Sequence, residues 1–233
     1  MGSVAGYKEY ARVVEQMCEH LFCELTPSAG RRIANVVLAT CHVDNYVDSA
    51  KGNVKKEREK KILDYLEHGD HHIFGDGHPE LVAELIQLKK TLGDISPVRR
   101  AQFKKDVAEI FKCGDVLCST KNTRSFIRAR LEEGRRSADL VVLAVDELYD
   151  HPHSANFYRR LVAVHNLLDT LKDFKTDKEN GEINLPVSGM FRIAASSCAR
   201  LGAMAVTVSP PQRNILAGHL KAYLFRLIKK NQK

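Results

Sequence analysis

The sequence predicts an all-α fold, and three observations carry that prediction. Apolar residues recur with a helical period, most plainly at Leu81, Val82, Leu85, Ile86 and Leu88, with Glu80, Glu84, Lys89 and Lys90 on the other side. Thr26-Pro27, Ser96-Pro97 and Ser209-Pro210 each set a capping side chain before a proline at the first helical position, where the missing N–H has no helical partner to lose. The one serious strand candidate is Asp139–Val145 (DLVVLAV). Polar residues continue on both sides of it without turn residues, which favours a buried helix.

Taken in order, the periodicity and the punctuation place helices near 7–25, 28–51, 54–67, 79–92, 97–118, 122–149, 154–179, 189–207 and 210–231. Pro79 opens the fourth. The last is read from Ile215, Leu216, Leu220, Tyr223, Leu224 and Leu227 against Lys221, Arg226, Lys229 and Lys230. Breaks fall at Gly69–Gly77, Gly93–Ser96, His151–His153 and Gly181–Pro186, and none is long enough for a domain linker. A single domain over residues 1–233 is therefore expected, with buried inner helices surrounded by amphipathic ones.

Composition narrows the class. With 44% hydrophobic and 28% charged residues, the 233-residue chain can bury a core, which excludes a disordered tail protein. No apolar stretch is long enough to span a bilayer, and MGSVAGYKEY has no signal-peptide run, so the expectation is a cytoplasmic protein with no integral membrane segment. The net charge of +7 suits an anionic partner without choosing one. The six cysteines form no CxxC pair and read mostly as small core residues.

Two aspartate clusters carry the chemistry. Asp44 and Asp48 stand one turn apart at the end of the apolar run from Ile33, flanked by residues apolar enough to bury them. Asp169, Asp173 and Asp177 repeat that spacing on a helix that also carries Leu161, Val162, Val164, Leu167, Leu168 and Leu171. Aspartate is a poor residue for helix interiors, and stacked carboxylates repel. Hard divalent cations explain both stripes, because Mg²⁺ takes oxygen ligands and is usually held by one or two carboxylates plus substrate phosphates. The plainer explanation is a solvated helix face, which Lys172, Lys175 and Lys178 beside the second stripe would neutralise.

The segment Asp169-Thr-Leu-Lys172-Asp173-Phe-Lys-Thr-Asp177-Lys-Glu-Asn-Gly181-Glu-Ile-Asn-Leu185-Pro186 resembles the second aspartate motif of the squalene and phytoene synthases. Leu25, Pro27, Arg31, Arg32, Ala34, Leu38, Ala39 and Cys41, running into Asp44-Asn45-Tyr46-Val47-Asp48, resemble the first. The chain departs at Asp169 (asparagine in the family), Lys172 (arginine), Asn45 (aspartate) and Asn184 (an aromatic), and His42 lies where the family carries basic residues.

The resemblance implies an isoprenoid-synthase-type helical bundle with a central apolar cavity. It implies Mg²⁺ held by Asp44, Asp48, Asp169, Asp173 and Asp177, of which Asp44, Asp48, Asp173 and Asp177 serve catalysis. It implies substrate contacts from Lys172, Asp169, Tyr46 and His42, and Tyr46, Phe126, Tyr158, Phe174 and Phe191 as aromatic faces for a carbocation. The expected partner is a prenyl diphosphate, with no nucleic acid; a homodimer is left open. For a short chain with these substitutions, a class I terpene synthase that ionises one prenyl diphosphate and cyclises the cation fits better than head-to-head condensation. From other classes, an all-α metal-dependent pyrophosphohydrolase and a non-catalytic helical binding module are the alternatives.

Three further features complete the reading. His68-Gly69-Asp70-His71-His72 with Asp76 and His78 is rich in ligand types but reads as a polar surface loop. Arg128, Arg130, Arg135 and Arg136 form a basic patch that would grip phosphate or nucleic acid, although Glu132, Glu133 and Asp139 interleave as in a salt-bridged helix. Gly134 within it marks a break or a close helix contact.

Overall fold

The computed structural model describes residues 4–22, 25–179, 183–207, 209, 212–214 and 217–218. Among the described residues it is all-helical, with no strand. The helices are α1 (Val4–Phe22), α2 (Pro27–Asp48), α3 (Gly52–His68), α4 (Pro79–Gly93), α5 (Pro97–Ser119), α6 (Thr123–Ala144), α7 (Asp146–Tyr149), α8 (Pro152–Glu179) and α9 (Ser188–Thr207). A 3₁₀ turn at His71–Phe74 lies inside the stretch expected to be a break. The helix expected at 210–231 falls mostly outside the described residues. No helix among the described residues is long and apolar enough to cross a membrane.

The starts expected at Thr26 and Ser96 are made by the expected atoms, and the one expected at Ser209-Pro210 lies largely outside the described residues. Thr26 Oγ1 accepts from the Ala29 N–H at 3.1 Å, with Pro27 in the first turn of α2. Ser96 Oγ accepts from the Arg99 N–H at 3.4 Å. Asn122 Oδ1 accepts from the N–H groups of Arg124 and Ser125 at the start of α6. Gly69 ends α3 in the left-handed region at φ 76°, where a side chain would be strained.

The chain divides into two compact units: residues 1–111 with 139–155, and residues 112–138 with 156–233. Helices α5, α6 and α8 each contribute to both. In the first unit α2 packs against α1, α3 and α4, and α1 also meets α7. Ile33, Val36, Ile62, Tyr65, Leu85 and Phe103 are among its fully buried side chains. In the second unit Leu117, Phe126, Leu167, Phe174, Leu185 and Ile193 form one apolar cluster.

Asp139–Val145 is helical through Ala144, as favoured, but the helix expected over 122–149 is interrupted. Val145 is extended (φ −126°, ψ 119°), and α7 restarts at Asp146. Long-range contacts make the break. Arg99 donates to the Leu143 carbonyl at 2.7 Å, pairs with Asp146 and stacks over the Tyr149 ring at 4.4 Å. Arg32 Nη1 meets Asp146 Oδ2 at 3.0 Å, and Thr26 Oγ1 donates to Glu147 at 2.6 Å. The hydrogen bond and charge of Arg99, then those of Arg32, hold the Asp146 carboxyl below the ordinary aspartate range.

Candidate functional site

The second aspartate motif folds as a stripe on α8 with its own counter-charges. His165, Asp169, Asp173 and Asp177 follow one another at helical spacing. His165 Nε2 lies 3.2 Å from Asp169 Oδ2, and Lys172 Nζ lies 3.2 Å from Asp173 Oδ2 and 3.8 Å from Asp169 Oδ1. From α6, Arg130 donates to Thr170 Oγ1 at 3.0 Å and to Glu133 at 2.7 Å. The Asn166 amide reaches the same Glu133 oxygen at 3.4 Å.

Opposed effects set the state of these groups. Burial pushes the Asp169 carboxyl up, but the hydrogen bond and charge of His165, with the charges of Lys172 and Arg130, outweigh it and hold the group below the usual range. Burial likewise works against the Arg130 cation. Glu133 first, then Asp177 and Asp169, reverse that and raise its pKa.

The residues after the stripe lock its end. The Ile183 N–H donates to the Asp177 carbonyl at 3.3 Å, and Lys178 Nζ donates to the Leu185 carbonyl at 3.0 Å. Ile183 and Leu185 sink into the apolar cluster, and the Pro186 carbonyl accepts from the Gly189 N–H at the start of α9. The Leu-Pro of the motif is thus a structural anchor for the last turn of the aspartate helix. Lys178 serves this turn rather than neutralising the stripe.

Close packing holds α6 against α8. A Cβ at Gly134 would stand 2.8 Å from the Ala163 Cα and 3.0 Å from the Val162 carbonyl oxygen, closer than real side chains pack. Of the two roles expected of Gly134, the close helix contact is the one found.

The first motif lies at the C-terminal end of α2, and one expectation there is corrected. Asp44 and Asp48 are exposed, not buried. The apolar neighbours Val43 and Val47, with His42 and Tyr46, fill the inward stripe, and the aspartates fall on the opposite one. Asp48 Oδ1 accepts from Lys55 Nζ at 2.8 Å. Asp44 bears on its own neighbours: burial and then the Asp44 charge push the Cys41 thiol up to about 12, and Tyr7 is raised by burial, Cys41 and Asp44 in that order. Tyr46 packs edge-on against Phe74 and His78, with the Arg58 guanidinium 4.7 Å above its ring. His42 is buried with its ring 5.1 Å from that of Tyr7.

The candidate aromatic faces separate. Phe126, Tyr158 and Phe174 are buried in the second unit, whereas Phe191 is 76% exposed and cannot floor a cavity. The ligand-rich loop behaves as a surface loop: His71 and His72 are exposed, and His78 packs on Tyr46. In the basic patch, Arg130 pairs with Glu133, and Arg135 and Arg136 pair with Glu132. His165 and Asn166 are not singled out in the sequence reading, where Glu133 counts only as a charge within a salt-bridged helix. His165 was signalled by its position four residues before Asp169; Glu133 and Asn166 meet only because α6 and α8 pack closely.

Among the described residues no three His, Cys, Asp or Glu side chains converge into a metal-binding group of their own. The donor chemistry of both stripes nevertheless suits a hard cation that draws the rest of its shell from water and phosphate oxygens. No protein-family model matches the chain, and no curated protein or solved structure matches it. The likeness to the squalene and phytoene synthases therefore stands on the two aspartate segments themselves.

Proposed function

We propose that this chain is a Mg²⁺-dependent class I terpene synthase that ionises a prenyl diphosphate and cyclises the resulting cation. The observation that carries the reading is the α8 stripe, Asp169, Asp173 and Asp177, continued into the Ile183–Pro186 anchor in the register of a diphosphate-binding motif. Asp173 and Asp177 on α8 would supply carboxylate oxygens to the metal, and Asp169 would join them or hold the second rank of charge; Asp44 and Asp48 on α2 offer the same donor chemistry in their own unit. When bound, Mg²⁺ neutralises the departing diphosphate and makes it a better leaving group.

The chain's own residues do the rest. Lys172 stands beside Asp169 and Asp173 and would donate a charge-assisted hydrogen bond to a diphosphate oxygen. His165, with Lys172 and Arg130, outweighs burial and favours the ionised form of Asp169 that a metal ligand needs. Phe126 and Phe174 belong to the apolar cluster of the same unit, and aromatic faces of this kind would shield a carbocation from water.

Release of inorganic pyrophosphate from geranyl, farnesyl and geranylgeranyl diphosphate, with and without Mg²⁺, tests the reading, with mass analysis of the organic extract. Metal-dependent release with a hydrocarbon or terpene alcohol of one prenyl chain is the expected result. A product of two joined chains would move the assignment to head-to-head condensation. Release from nucleotides in place of prenyl substrates would replace it with the pyrophosphohydrolase.

A further inference from the structure

The second unit contains a pocket of about 570 Å³ between α6, α8 and α9 that the aspartate stripe does not use. Six arginines line it: Arg124, Arg128 and Arg135 from α6, Arg159 and Arg160 from α8, and Arg200 from α9. Glu132 is the one carboxylate in the lining, so the wall carries a formal charge of +5. Ile127, Val164 and Met204 supply apolar surface between the guanidiniums. Arg130, Glu133 and Asp169 are not part of this lining; they belong to the charge network described above.

Part of the charge in this pocket is not compensated from within. Glu132 is held ionised by hydrogen bonds from Arg135 and Arg136 against the opposing effect of burial, so its charge is already committed. Among the described residues Arg124, Arg128 and Arg160 have no carboxylate partner. Arg124 also occupies the first turn of α6, where the helix dipole disfavours cations. Like charges gathered in a concavity repel, and a multiply charged anion relieves that repulsion.

Shape selects the kind of anion. A pocket of this volume matches a small ligand. Nucleic acid is usually tracked by an extended basic groove, whereas these arginines come from three helices around one concavity. Guanidinium groups grip phosphate oxygens in pairs, and several of them suit a chain of linked phosphates better than a single one.

We propose that this pocket is a metal-independent binding site for a polyphosphate group, either an inorganic polyphosphate or the phosphate chain of a nucleotide. It is separate from the aspartate stripe and does not depend on the function proposed for that stripe.

Calorimetric titration of the whole chain with inorganic tripolyphosphate, in buffer containing EDTA, tests this. The expected result is saturable binding of one anion per chain that weakens as salt is raised. Arg128→Ala combined with Arg160→Ala should weaken it at least tenfold, and Lys175→Ala, on an exposed part of α8, should leave it unchanged. Asp173→Asn should bind as the wild type does even where prenyl diphosphate turnover is lost, which keeps the two proposals apart. ATP binding as tightly as tripolyphosphate would identify the phosphate chain as the recognised group; tighter binding of ATP would identify a nucleotide. Circular dichroism shows whether the double variant is folded; if it is not, the rise in Tm of the wild type with tripolyphosphate is the deciding measurement. Absence of saturable binding to the wild type overturns the proposal. So does unchanged affinity in the folded double variant, or tight binding of an oligonucleotide that tripolyphosphate fails to displace.

Discussion

The two aspartate faces share a residue type and a spacing, yet differ in how the chain treats their charge. On α8 the carboxylates are half-buried and meet His165, Lys172 and Arg130. On α2 Asp44 and Asp48 are exposed at the C-terminal end of the helix, where the dipole is already negative, and Lys55 reaches Asp48 from α3. The lesson is that spacing sets which side chains share a face, while the neighbouring helices set what that face costs. The α8 stripe is a built electrostatic feature; the α2 pair is a solvated one that favours added cations.

Substitutions sharpen that contrast, and the largest effects belong to the α8 side. Leu185→Ala removes a fully buried anchor from the apolar cluster beneath the stripe, and should cost about 2–5 kcal/mol in denaturant unfolding. Gly134→Ala places a methyl group against the α8 backbone and should cost about 1–3 kcal/mol. A Gly134→Ala protein as stable as the wild type would mean that α6 and α8 are not held at this separation.

The next effect is on titration. Asp169 is held below the ordinary carboxylate range, so its contribution to stability is present above that range and is lost as pH falls through its lowered value. His165→Leu removes the hydrogen bond that opposes burial. The Asp169 carboxyl should then titrate at higher pH in carboxyl-resolved NMR, and acid unfolding should begin at higher pH. An unmoved titration would show that Lys172 and Arg130 suffice. The smallest effect belongs to α2: Lys55→Met breaks an exposed pair and should change stability by no more than about 1 kcal/mol. A larger loss would mean that the α2 pair is more than a solvated face.

Much of this was readable in the sequence. Thr26 and Ser96 announce helix starts through local chemistry, and Lys172 lies three residues from Asp169, so its pairing follows from spacing alone. The exposure of Asp44 and Asp48 was also there to be read, since His42, Val43, Tyr46 and Val47 already complete the inward stripe. The break at Val145 was not. Its apolar run continues smoothly, and the interruption comes from Arg99 and Arg32, distant in sequence, converging on Asp146. The arginine pocket was half visible: Arg128 and Arg135 belong to one basic segment, but Arg159, Arg160 and Arg200 join them only through the packing of three helices.

The central claim is that the α8 stripe handles a diphosphate with Mg²⁺. Its most direct test compares Mg²⁺-dependent pyrophosphate release from farnesyl diphosphate by the wild type and by Asp173→Asn, with circular dichroism recorded on both. The account predicts an unchanged helical signal and a loss of at least about a hundredfold in rate, the scale expected when one preorganised electrostatic contact is removed. Turnover by Asp173→Asn equal to that of the wild type would contradict it.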